Sequence, residues 1–440
     1  MHADVPERSA AWRWWVCGVL LLATLLNYMD RQALPQTATE LKQRYGLSDS
    51  RYGLVERNFS WAFALGSILF GYLADRFGPR LLYPLVLAGW SLAGLATPLL
   101  AYEPWVLLWA DPDDPSRGAF RWLLICRTAL GLFEAGHWPC ALITVRRILS
   151  ERDRPLGNGI LQSGASLGAV LIPLYVLGIR HLGGDWPMVF WTIGAAGLLW
   201  VPLWMSLVQS VDLRSERPST AGEEVGRGDS RQTPALPPSV RLWVMPLLCL
   251  GIVVCCLNVS WQFLRAWLPK YLKESQGFSA DAADVAVAGY YIAADVGCLL
   301  SGAVVRLLTR RGWAVTAARR GGFVLFAGLT LLAAVTRWSG GGWSAVLLLW
   351  LAGAGILGLH PYYYALVQEL PQRFLGLGSG LLAALAWFLA GTVQEHLGQH
   401  IDTTGSYDLG LTIAGLAPLL ATAAVLWLWR PPRPELQPAR

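Results

Sequence analysis

Arg214-Ser-Glu-Arg-Pro-Ser-Thr-Ala-Gly-Glu-Glu-Val-Gly-Arg-Gly-Asp-Ser-Arg-Gln-Thr-Pro-Ala-Leu-Pro-Pro238 is rich in Ser, Glu, Arg, Gly and Pro and has no apolar period. A stretch of that composition stays solvated. The chain on either side reads differently. Six apolar runs precede it, near 14–35, 55–74, 81–101, 121–143, 158–179 and 187–209. Six more follow, near 242–267, 285–306, 320–336, 343–366, 374–396 and 408–429. A helix that crosses a bilayer needs about 20 mainly apolar residues. The expectation is an all-α membrane protein of twelve transmembrane helices in two six-helix halves. The halves are 1–213 and 241–440, joined by a cytoplasmic linker at 214–240.

Composition supports the same class. Of 440 residues, 54% are hydrophobic and 15% charged, with a mean hydropathy of +0.42. Soluble chains carry roughly 25% charge. Twelve spans use about 240 residues, so no loop is long enough for a catalytic domain and the chain does not read as an enzyme. The net charge of +6 comes from basic residues at membrane borders and does not point to nucleic acid. Twenty-two of these lie on one side of the runs and nine on the other. The positive-inside rule places the richer side, with both termini and the linker, in the cytoplasm. The first run continues past Asn27 without a small-residue cleavage site, so it reads as a spanning helix and not as a leader. All seven cysteines fall in apolar stretches, as free thiols packed among helices do.

Several chemistries lack their motifs. The lysines are Lys42, Lys270 and Lys273; none follows a glycine, so no P-loop powers a pump. Gly353, Gly355 and Gly358 match a dinucleotide spacing but sit inside an apolar run with no preceding strand, where close helix contact explains them. Glu395, His396 and His400 read as a solvated helix end without the further ligands a metal needs. No cofactor is implied.

Gly71-Tyr-Leu-Ala-Asp75-Arg76-Phe-Gly78-Pro-Arg80 resembles the signature loop of the major facilitator superfamily, between its helices two and three. Asp75 with Arg76 and Arg80 can form an ion-pair latch that biases one conformation. Asn27-Tyr28-Met29-Asp30-Arg31-Gln32 is similar to the first helix of the anion:cation symporter family within it. Arg127, with Glu134-Ala-Gly-His137-Trp-Pro139 seven residues on, is similar to the fourth helix. Gln162-Ser163-Gly164-Ala-Ser166-Leu-Gly168 is similar to the fifth. Trp267-Leu-Pro-Lys-Tyr271 and Arg310-Arg311-Gly-Trp-Ala-Val-Thr-Ala-Ala-Arg319-Arg320 resemble its hexuronate branch, whereas the insert 111–117 is atypical. The resemblance implies a monomeric symporter in the inner membrane that moves a small organic anion, such as a sugar acid, with protons.

Ionisable groups inside a membrane are costly and mark function. With the runs as bounded above, Asp30, Arg31 and Arg127 lie roughly 8–9 Å below the outer ends of helices one and four. Helices one and four face the central cavity in this superfamily. Glu134 is two turns after Arg127 on the same face. Arginine stays charged and grips a carboxylate with two hydrogen bonds. The expected scheme pairs Asp30 and Glu134, as proton carriers, with Arg31 and Arg127, as anion binders. Protonating an acid then frees an arginine for the substrate. Tyr28, Gln162, Ser163, Asn258 and Trp261 are further substrate candidates, each with a packing alternative. Asp295 reads either as a functional mid-membrane acid or as a structural partner for a neighbouring donor, and Arg57 and Arg265 read as snorkelling from the outer ends. His137 is expected to tune the pH response, against packing beside Trp138. Competing functions are a drug–proton antiporter, against which Ala169 stands where such proteins have proline, and a non-transporting sensor of the same fold.

Overall fold

The structure is a computed structural model describing residues 9–111, 114, 116–150, 153–209, 211–213, 241–369 and 372–429. The expected linker at 214–240 and much of the 111–117 insert lie outside the described residues. The helices are α1 Ala10–Tyr45, α2 Asp49–Phe77, α3 Pro79–Ala96, α4 Ser116–Glu134, α5 His137–Ile148, α6 Arg154–His181 and α7 Trp186–Leu207. The second set is α8 Arg241–Lys270, α9 Ala280–Arg310, α10 Val315–Val335, α11 Gly342–Val367, α12 Gln372–Thr404 and α13 Asp408–Trp427. The α4 and α5 segments are one passage broken at Ala135 and Gly136, so the bundle makes twelve passages. Nine helices among the described residues are long and apolar enough to cross a membrane. Helices suit this setting because they satisfy every backbone group internally.

Local chemistry sets the ends. Gly46 closes α1 at φ 63°, and Ser48 caps α2 by accepting from Arg51 N at 3.2 Å. Gly78, at φ 74°, turns the chain directly into Pro79 at the start of α3. The helices outrun the apolar runs at several ends. The first run stops near Pro35, yet α1 continues to Tyr45, because Gln36, Thr37, Ala38 and Leu41 are buried against other helices. Arg31 is therefore 14 residues from the end of α1, about 21 Å, and not the 8–9 Å that the run suggested.

In the first half α1 packs on α6, α2 on α4 and α3 on α7; in the second α8 packs on α13, α9 on α11 and α10 on both α11 and α13. The halves meet along α2–α12 and α6–α9, with α1 against α8. Polar ties between them gather at the end where α1 finishes and α2 begins. There Lys42 Nζ meets Glu274 Oε2 at 2.9 Å and Arg180 Nη2 meets Asp284 Oδ2 at 2.8 Å. Asp402 of α12 accepts from the backbone N–H groups of Asp49 and Ser50 at 2.6 and 2.7 Å, capping α2 from the opposite half. Outward faces expose Trp15, Leu65, Ile68, Trp191, Leu199, Leu299 and Trp427, a surface suited to lipid and not to water.

The glycines at 353, 355 and 358 serve helix contact. A Cβ at Gly355 would come 2.7 Å from the Phe326 carbonyl oxygen, and Gly353 faces the Tyr290 ring. Cys17, Cys126, Cys140, Cys249, Cys255, Cys256 and Cys298 are all free thiols.

Candidate functional site

At the centre of the bundle, Arg31 of α1 donates Nε to Glu134 Oε2 of α4 at 2.7 Å. The two side chains are 4% and 0% exposed. Arg31 Nη2 also donates to Asn27 Oδ1 at 3.0 Å, one turn back on α1. Aromatic rings complete the enclosure: the guanidinium lies 4.9 Å from the Tyr28 centroid, 5.0 Å from Phe63 and 5.6 Å from Trp387. A buried pair of this kind gains little net stability but is costly to split, because the survivor is left charged in a dry site. Glu134 closes α4 where the passage breaks, which lets its carboxylate turn toward α1.

Arg127 pairs with neither Asp30 nor Glu134, the two acids expected as partners for the arginines. Its Nη2 donates to Glu56 Oε1 of α2 at 3.0 Å and to the Arg31 carbonyl at 3.2 Å. The other oxygen of Glu56 accepts from Nη2 of Arg265 on α8, and Gln262 accepts from Arg265 Nε. One carboxylate thus bridges guanidinium groups from both halves. Arg265 is 2% exposed, so the snorkelling expectation fails for it. Its apolar run closes at 267, but α8 continues to Lys270 and a π-turn follows over Tyr271–Ser275, which keeps Arg265 inside. Arg57 does not reach solvent freely either: it is partly buried, pairs with Glu395 at 2.6 Å and stacks 4.7 Å from Trp61. That pair also occupies the Glu395 carboxylate considered beside His396 and His400.

Sequence reasoning misses Glu56. It falls at the margin of an apolar run, where a charge reads as a helix end. In fact α2 begins seven residues earlier, so Glu56 is about one and a half to two turns inside. Nothing local in the sequence identifies Arg127 or Arg265 as its partner. The Phe59 ring sits one turn on from Glu56 and lies 5.6, 4.6 and 5.8 Å from the guanidinium carbons of Arg31, Arg127 and Arg265. Three cations, paired to two carboxylates, therefore share one ring.

Asp30 is 2% exposed, and neither carboxylate oxygen has a hydrogen-bond partner among the described residues. It faces α3, where a Cβ on Gly94 would lie 2.9 Å from Asp30 Oδ1. His137 is wholly enclosed by the rings of Tyr83, Trp90 and Trp138. Both ring nitrogens are engaged, Nε2 with Thr24 Oγ1 at 3.1 Å and Nδ1 with Tyr83 OH at 2.9 Å. Thr24 already donates its hydroxyl proton to the Leu20 carbonyl, so Nε2–H donates to Thr24, and the Tyr83 hydroxyl engages Nδ1. This fully engaged ring fits the packing alternative and leaves no free donor for a substrate hydroxyl.

The remaining candidates divide. A cavity of about 260 Å³ is lined by Asn258, His360, Tyr363, Tyr364 and Trp387 among others, and Trp387 connects it to Arg31. Asn258 Nδ2 is buried without a hydrogen-bond partner among the described residues. Trp261 stacks on Tyr290 and meets the rings of Tyr291 and His360. Gln162 and Ser163 are exposed on α6, and Ser163 donates to the Ile160 carbonyl. Ser166 donates to Asp295 Oδ1 at 2.8 Å, which fits the structural reading of Asp295. Another tie between the halves is Gln32 Nε2 to Tyr291 OH at 2.6 Å. At the α2–α3 turn Asp75 is exposed with no ion pair among the described residues. Arg76 meets the Tyr72 hydroxyl at 3.2 Å, and Arg80 Nε donates to the Val208 carbonyl at 3.2 Å.

Comparison with known proteins supplies the frame. The profile of the Major Facilitator Superfamily matches residues 20–394. A probable sulfoacetate transporter of Cupriavidus necator is 30% identical over 408 residues, covering 91% of this chain and 90% of that one. A probable galactarate/D-glucarate transporter of Bacillus subtilis is 25% identical, covering 95% and 92%. Among solved structures, the inward-open xylose transporter of E. coli superposes with a TM-score of 0.70 at 14% identity, over 96% of this chain and 98% of that one.

Proposed function

Because the chain belongs to the major facilitator superfamily, we propose that it is a secondary transporter carrying a small organic anion together with protons across the inner membrane. The relatives named for sulfoacetate and for galactarate and glucarate support an organic-acid cargo. The observation that carries the reading is the buried Arg31–Glu134 pair beside a cavity. Arginine is a permanent cation with a planar fork that fits a carboxylate or sulfonate. Glu134 is its exchangeable counter-ion. A proton taken by Glu134 cancels that charge and frees Arg31 for the cargo; loss of the proton re-forms the pair and expels the anion. Asp30, buried next to Arg31 in sequence with both oxygens unpartnered among the described residues, is the second proton carrier. Asn258 and Trp261 contact the cargo from the other half, Tyr28 beside Arg31, and Gln162 and Ser163 along the exit path.

The arginine bias places both termini and the 214–240 linker in the cytoplasm. The α1–α2 end then faces outward, and its ion pairs close the outer gate of an inward-facing state. Asp75, Arg76 and Arg80 latch the opposite end when the halves, 1–213 and 241–440, rock the other way. The test is uptake into proteoliposomes under a pH gradient, run beside counterflow exchange. Glu134→Gln is expected to keep exchange and lose accumulation. If Glu134→Gln and Asp30→Asn both still concentrate the anion, the proton sites lie elsewhere.

A further inference from the structure

The Arg31–Glu134 pair accounts for one anionic group of a cargo. It leaves unexplained the second buried cluster, Arg127–Glu56–Arg265, in which one carboxylate holds two guanidinium groups from opposite halves. Two full charges of like sign are brought together in a dry site, an arrangement that is stable only with an anion between them. Three of their donors still lack acceptors among the described residues: Arg127 Nε and Nη1, and Arg265 Nη1. All three residues of the cluster are 2% exposed or less. Glu56 therefore uses only part of the binding capacity that the two arginines present, whereas a carboxylate or sulfonate with free rotation can engage both forks.

We propose that Arg127 and Arg265 form a second anion subsite, occupied by Glu56 when no cargo is bound, and that the cargo is a compact dianion. This rests on the transport reading above and narrows its substrate class. One acidic group of the cargo binds Arg31 in place of Glu134; the other binds between Arg127 and Arg265 in place of Glu56. Charge at the two subsites is conserved when each displaced glutamate takes up one proton as the dianion enters and releases it as the dianion leaves, so Glu56 joins Glu134 and Asp30 as a proton carrier. Arg265 belongs to the second half, so the second anionic group also links the halves during the conformational change. A monoanion fills one subsite only and leaves Glu56 bridging the arginines.

The test uses the full-length protein in proteoliposomes with two matched pairs of probes. D-glucarate and D-gluconate differ only at C6, carboxylate against hydroxymethyl; sulfoacetate and isethionate differ in the same sense on a shorter chain. Uptake and competition are measured for the parent and for Arg265→Gln and Arg265→Lys, with thermal unfolding as a check on folding. In the parent, the dianion of at least one pair is expected to outcompete its monoanion by tenfold or more. In Arg265→Gln that ratio is expected to fall close to one, and Arg265→Lys is expected to recover part of it. A structural role for Arg265 would lower both members alike and keep the ratio, which overturns the proposal. Should Arg265→Gln fail to fold, the parent ratio and the lysine variant decide. Equal handling of both members by the parent overturns the dianion subsite and leaves the organic-anion reading standing. Failure of all four probes to be transported or to compete overturns both.

Discussion

Two arginine–carboxylate clusters in this molecule use the same chemistry in opposite surroundings. In the centre, Arg31, Arg127 and Arg265 meet Glu134 and Glu56 with every side chain 4% exposed or less. At the periphery, around the start of α4, Arg117 and Arg121 meet Asp111 at 2.6 and 2.8 Å, and Arg51 of α2 meets Asp114 at 2.8 Å, all partly or largely exposed. Water decides the difference. Exposed pairs are screened and are each worth roughly 0–1 kcal/mol. Buried pairs are expensive to assemble, and breaking one by deleting a partner costs about 3–5 kcal/mol. Geometry alone would have ranked the clusters as equals. Only the central one holds its charges where a proton or an anion can change the balance.

The largest expected effect is at the centre. Arg31→Ala and Arg127→Ala are each expected to abolish uptake, a loss of about a hundredfold or more at roughly 1.4 kcal/mol per tenfold. Arg127→Lys is expected to fail as well, because a lysine ammonium lacks the planar fork with which Arg127 can grip an anionic group through two hydrogen bonds. Radiolabelled anion uptake, with protein level and thermal stability as controls, is the measurement. Near-parent transport by either alanine variant would erase the distinction between the clusters.

An intermediate effect is expected at His137, which borders the central cluster without joining it. His137→Asn leaves Tyr83 OH or Thr24 Oγ1 short of a partner, at a cost of about 1–3 kcal/mol in stability. Because both ring nitrogens are committed to protein groups, the pH profile of uptake is expected to keep its position. A displaced profile would show that His137 works with the proton carriers after all.

The smallest effect is expected at the periphery. Hydrogen bonds from Ser116 and Arg51 hold Asp114 down at about 2. Its folded value lies below the usual value near 4, so its contribution to stability is present above that value and is lost as pH falls through about 2. Between pH 5 and 8 it does not titrate. Asp114→Asn is expected to leave uptake within about twofold of the parent, with an unchanged pH profile over that range. A large loss would mean that the loop takes part in gating.

Much of this architecture is legible in the chain itself. Twelve apolar runs around one polar stretch define an all-helical membrane protein in two halves, because hydrocarbon admits few alternatives. Arg31, Arg127 and Glu134 stand out as charges within apolar runs. The runs understate depth along α1, because a run ends where polarity begins, whereas a helix continues as long as neighbours bury it. Gln36 and Thr37 are polar and still 2% and 3% exposed.

Pairing, by contrast, comes from the packing of distant helices. Arg31 and Glu134 are 103 residues apart, Arg127 and Glu56 71, and Arg265 and Glu56 209. Helical periodicity tells which face a residue occupies but carries no information about which distant helix that face will meet. So Asp30, the obvious neighbour of Arg31, faces α3 without a hydrogen-bond partner among the described residues, while Glu56, at the edge of its run, bridges the halves. The position of these charges within apolar runs already carries them into the membrane. The packing of α2 between α4 and α12, beside α8, determined which of them share a site, because in a low-dielectric interior a buried charge is stable only beside the partner that the fold brings to it.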